Sequence, residues 1–141
     1  MDQVVTQQSS RLRAVLAPLG VALAAGAAVA YVGVVDPNEP GHYPTCPFYA
    51  LTGLLCPGCG ALRATHALAH LDPAAAFGLN ALLVLMAPVV AYVWARWLAA
   101  AWSGRAWRPS PPKPLHLWAL MALVLLFWVV RNLPAGAFLA P

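Results

Sequence analysis

The stretch CPFYALTGLLCPGCGALRATHALAHLDPAAAFGLN, residues 46 to 80, holds all three cysteines of the chain together with Arg63, His66, His70, Asp72 and Asn80. Apolar runs flank it on both sides, so the fold turns on whether this polar stretch crosses a bilayer or lies at its edge. Cys56-Pro57-Gly58-Cys59 places a proline where the first residue of a helix belongs. Its φ is already near the helical value, and its missing N–H would have had no partner there. The pattern predicts a helix over residues 57 to 71. Cys59, Arg63, His66 and His70 recur at i, i+4, i+7 and i+11, one face of an α-helix, with Ala61, Leu62, Ala64, Leu68 and Leu71 on the other. Asp72-Pro73 ends the run, because the residue before a proline avoids helical geometry. Such a helix reaches only about 22 Å, short of the roughly 30 Å of hydrocarbon, so it is expected to lie in the interface rather than span.

Outward from this stretch the chain is lipid-like. Of its 141 residues, 62% are hydrophobic and 9% charged, too few charges for a water-soluble surface. The expected fold is an all-α membrane protein: three transmembrane helices plus a short interfacial amphipathic helix after a CPGC turn. One membrane domain spans residues 1–141, with a helix over 12–35, a Cys-rich loop and interfacial helix over 36–73, a helix over 74–102, a basic Pro-rich connector over 103–114 and a helix over 115–133. Residues 1 to 10 are polar and unpatterned and read as a mobile tail. The first apolar run is too long for a signal-peptide core, although Ala28-Val29-Ala30 has the small-x-small form of a cleavage site. Pro88 is expected to kink the second run.

Charge fixes an expected orientation. The net charge of +4 sits at the edges of apolar runs rather than in a patch interleaved with aromatics, a membrane pattern and not a nucleic-acid one. Arg11 and Arg13 precede the first run, while Arg96, Arg105, Arg108 and Lys113 surround the connector. Three crossings put both groups on one side, which should be cytoplasmic, with the N-terminus there and the Cys-rich loop outside a plasma membrane.

With CPFYALTG, CPGCGALRA, HLD and Asn80 in view, the chain resembles a bacterial family of small membrane proteins, domain of unknown function 2752. Cys46, Cys56, Pro57, Cys59, Gly60, Arg63, His70, Asp72 and Asn80 stand at the positions of that family's pattern. Leu62 replaces a usual threonine, Leu71 a glycine, and Ala81 the proline of an Asn-Pro-like pair. The resemblance implies the membrane architecture and brings no established activity.

Three chemistries fit the residues themselves. Three cysteines allow one disulfide and leave one thiol over, which excludes a disulfide scaffold. A Cys56–Cys59 or Cys46–Cys56 disulfide would staple the loop. A CxxC at a helix start lowers a thiol pKa and permits thiol redox exchange. Cys46, Cys56 and Cys59 with one histidine would also make a tetrahedral site for zinc or another thiophilic metal. His66 and His70 form a usable i, i+4 pair. Joint ligation by Cys59 and His66 is disfavoured, since an ideal helix separates them by about 10 Å. Arg63 is expected to stabilise a thiolate, to pair with Asp72 or a lipid phosphate, or simply to snorkel at the interface, and Asn80 to bond between helices. Paired membrane carboxylates, a Ser/His/Asp set and a phosphate loop are absent from the sequence, which leaves hydrolases, pumps and kinases little to stand on. The balance favours a non-enzymatic accessory or scaffold subunit with a Cys-stapled extracytoplasmic loop, its helices docked in lipid on a larger membrane complex or a homo-oligomer. The alternative is a thiol redox or metal-binding membrane protein using the same cysteines.

Overall fold

The computed structural model describes the backbone of residues 2–105 and 107–141, and side chains from residue 13 onward except residue 106; the Arg11 side chain lies outside the described residues. The described residues are 71% helical and contain no strand. Helix α1 covers Asp2–Val34, α2 Pro47–Thr52, α3 Ala61–Ala69, α4 Pro73–Trp102 and α5 Pro114–Arg131, followed by a 3₁₀ helix over Pro134–Leu139. Three segments are long and apolar enough to cross a membrane, Arg13–Val34, Pro73–Trp102 and Pro114–Arg131, so the chain is an all-α membrane protein.

Four local expectations change. The tail continues α1, which begins at Asp2, because neither proline nor glycine precedes Pro18 and an existing helix propagates readily through polar residues. Residues 47 to 52, read as loop, form α2, with Pro47 at its first position and Gly53 ending it at φ 69°. Helix α3 starts at Ala61 rather than Pro57. Residues 57 to 60 instead fold into a tight turn, closed by Cys59 N–H to Cys56 O at 3.1 Å and Ala61 N–H to Gly58 O at 3.0 Å. Gly60 holds φ +81°, a left-handed conformation that starts the helix one turn later than the proline suggests. At nine residues, α3 is still shorter than a span. Leu71 takes φ +60° at its far end, which gives a physical reason for the glycine that the family pattern has there.

The break in α4 falls at Asn80 (φ −159°, ψ 89°) and not at Pro88. Asn80 acts as a cap for the half that follows, its Oδ1 accepting from Leu83 N–H at 2.9 Å. Asparagine is a strong cap former, and the proline expected at residue 81 is not required for the break.

Contacts divide the chain into two compact units, residues 1–28 with 87–111 and residues 29–86 with 112–141. In the first, Trp94 Nε1 donates to Pro18 O at 3.0 Å, tying α1 to α4. The second contains every cysteine and the polar ends of α3 and α5.

Candidate functional site

Cys46 is the residue before α2, where Pro47 sets the helix start, and its carbonyl accepts from Ala50 N–H at 2.9 Å. The turn over residues 56–59 brings the other two sulfurs under it. The Cys46 and Cys56 sulfurs are 3.5 Å apart, those of Cys56 and Cys59 3.1 Å, and all three lie within 4.8 Å of one another. Cys56 N–H also donates to the Cys59 sulfur at 3.2 Å. Cys59 is buried and the other two half-buried.

The turn cannot form sheet or helix hydrogen bonds, so side chains hold its backbone. Arg131, 2% exposed at the end of α5, donates to Cys56 O at 3.1 Å, Pro57 O at 3.4 Å and Cys59 O at 3.1 Å. From the break in α4, Asn80 Nδ2 donates to Pro57 O at 3.0 Å and Cys59 O at 3.2 Å. Asn132 clamps Leu55 from both sides, accepting from its N–H at 2.8 Å and donating to its carbonyl at 2.9 Å. Asn80 was among the sequence candidates. Arg131 and Asn132 were not, and the signal that points to them is an ionisable residue at the end of an apolar run, with an amide beside it.

Arg131 makes this site electrostatically unusual. Among the described residues no carboxylate pairs with it, and its Nε has no partner. The groups within Coulombic reach that can carry negative charge are the Cys59 and Cys56 sulfurs. A buried cation without a counter-ion is costly.

The thiols themselves are not equivalent. The Tyr49 N–H in the first turn of α2, followed by the Cys56 thiol, favours the Cys46 thiolate and lowers its pKa, although no side-chain hydrogen bond closes the cap. Burial, then the neighbouring Cys56 sulfur, pushes the Cys59 thiol up to about 12. A lowered pKa populates the thiolate at lower pH, and the thiolate is the nucleophile. In metal-free, reduced protein at neutral pH, Cys46 is therefore expected to alkylate before Cys59, with Cys59 unreactive until the fold opens. Timed iodoacetamide labelling read by peptide mass spectrometry checks the order; equal rates for the two would contradict it.

The remaining sequence candidates lie elsewhere. Arg63 is exposed on α3 and has no hydrogen bond or ion pair among the described residues; with Cys46 and Cys59 it lines a cavity of about 570 Å³ that also takes in Tyr43, Tyr49 and Glu39. Asp72 is not paired with it but caps α4, accepting from Ala75 N–H at 2.9 Å. His66 and His70 do not join the sulfur group. His66 instead reaches Val32 O at the end of α1 through Nδ1, at 2.8 Å. The geometric reason is the shorter helix: with residues 57–60 spent on the turn, the face bearing His66 points to α1.

Residues 46–94 match the family model described as Protein of unknown function (DUF2752). The matched segment starts at Cys46 and contains all three cysteines and Asn80, in agreement with the resemblance drawn from the motif. Comparison with curated proteins and with solved structures gave no match.

Proposed function

We propose that the protein is a multi-pass membrane protein that handles a thiophilic metal ion, zinc foremost, on Cys46, Cys56 and Cys59. The observation that carries this reading is the convergence of three sulfurs beneath a buried, carboxylate-free arginine. Thiolates of a tetrahedral zinc site with Zn–S near 2.3 Å are about 3.8 Å apart; the Cys46–Cys56 separation of 3.5 Å is close to that, and the Cys56–Cys59 separation of 3.1 Å would have to open by about 0.7 Å. Three thiolates and a divalent ion leave one negative charge, which the Arg131 guanidinium offsets. Three protein ligands also leave a fourth position free. Structural zinc sites are closed by four protein ligands, whereas sites that exchange or activate a ligand keep one position open. Here Cys46 and Cys59 border the cavity, so that position is reached from it.

The clustering of Arg13, Arg96, Arg105, Arg108 and Lys113 at helix ends supports a reading in which their side of the membrane is cytoplasmic and the cysteine loop faces outside the plasma membrane. Outside, free thiols oxidise and a bound metal protects them. The role that fits is an accessory subunit supplying a metal centre to a larger membrane complex or to a homo-oligomer.

Elemental analysis of the purified full-length protein tests the reading, with about one equivalent of zinc expected and a loss of affinity of at least roughly tenfold in C46S, C56S and C59S separately. Metal-free protein whose mass shows one disulfide would overturn it in favour of a stapled loop.

A further inference from the structure

The three sulfurs stand differently toward the cavity beside them. Cys46 and Cys59 border it, whereas Cys56 does not. Cys59 is buried, and its sulfur already accepts from Cys56 N–H at 3.2 Å. Cys46 is half-buried just ahead of α2, and its side chain closes no cap hydrogen bond. The Cys46 sulfur is therefore the one that a molecule in the cavity can reach. Cys56 touches both of the others, 3.5 Å from Cys46 and 3.1 Å from Cys59. At about 570 Å³ the cavity has the size of a small-molecule site.

We infer that the cavity admits a small-molecule disulfide which exchanges with the cysteine centre, Cys46 attacking and Cys56 resolving, and that closing the Cys46–Cys56 disulfide discharges the metal. The release rests on the metal reading above, while the exchange needs only the sulfurs. A thiol that coordinates a metal is deprotonated, so the nucleophile is present in the loaded protein. The Cys46 thiolate attacks one sulfur of the entering disulfide. That S–S bond breaks, a mixed disulfide forms on Cys46, and the other half leaves as a thiolate that takes a proton from water. The Cys56 thiolate then attacks the Cys46 sulfur, and the second half leaves in the same way. Cys46 and Cys56 together lose two electrons, and the small disulfide gains two to become two thiols. Cys59 is left as the single protein thiolate, too few ligands to hold a zinc ion.

Oxidised glutathione is the probe. Full-length protein in detergent, loaded with zinc under reductant and then freed of the reductant, is followed by a chromogenic zinc chelator and by peptide mass spectrometry. Each chain should yield about two equivalents of reduced glutathione and one of zinc, and the first intramolecular disulfide should map to Cys46 and Cys56. Reduced C56S should keep a glutathione adduct on Cys46, and reduced C46S should be modified at least about tenfold more slowly than wild type. An adduct that forms first on Cys59, a Cys46 adduct that does not persist in C56S, or C46S modified as fast as wild type overturns the exchange. Zinc retained after Cys46 and Cys56 have joined overturns the release. Protein that carries no zinc even when prepared under reductant, yet passes through the Cys46 adduct, would count against the metal reading and support the exchange.

Discussion

Replacing Arg131 by methionine is expected to weaken zinc binding at the cysteine centre and to destabilise the loop, with affinity for the metal lowered by about ten- to a hundredfold. The two effects have separate origins. The three carbonyls that Arg131 holds each keep another donor, Cys59 N–H for Cys56 O and Asn80 Nδ2 for Pro57 O and Cys59 O, so none is left orphaned. What goes is a set of charged hydrogen bonds, at about 1.5–3 kcal/mol for a bond of this kind. The larger consequence is electrostatic: a zinc site with three thiolates keeps a net negative charge, and the buried guanidinium is the cation placed to offset it. Lysine at the same position restores the charge but cannot fork to two carbonyls at once, so R131K should recover metal affinity more than stability. Thermal melting with and without chelator, read beside a zinc competition titration, distinguishes these effects. Wild-type zinc affinity in R131M would show that the arginine serves the backbone alone.

Much of the architecture was legible because membrane helices announce themselves by length and apolarity, and the polar stretch after the CPGC turn was too short to span. The cysteine cluster was legible because Cys46 and the CxxC sit in a loop with little apolar surface of its own to order it. Two things were not. One is the turn at residues 57–60: proline at a helix start is a sound signal, but it competes with Gly58 and Gly60, and local propensity does not say which prevails when Gly60 is needed at positive φ. The other is the clamp supplied by Arg131 and Asn132. These lie more than seventy residues from the turn they hold, and an arginine at a helix end reads equally as a lipid-facing anchor. Only the fold shows it turned inward. The same displacement accounts for His66, whose helical register was read from Cys59 although the helix starts at Ala61.

Gly60→Ala is expected to cost about 3 kcal/mol or more and to release the metal, while Gly58→Ala, two residues away, is expected to do neither. At Gly60 two penalties coincide. A side chain at φ +81° is disfavoured by about 1–2 kcal/mol. In addition, a β-carbon there would press into Leu79 O and come within 2.7 Å of Pro141 Cβ. The first neighbour is backbone and cannot swing aside, since Leu79 precedes the Asn80 break whose side chain is already bonded to Pro57 O and Cys59 O. Relief therefore moves Asn80, and with it the two carbonyls that position Cys59. Gly58 stands differently: its β-carbon would meet only the Cys56 sulfur, at 3.8 Å, an ordinary contact. Melting temperatures and zinc content of the two variants, measured side by side in detergent, check the contrast. Equal behaviour of G58A and G60A would mean that the close approach of the turn to α4 does not set the geometry of the sulfur cluster.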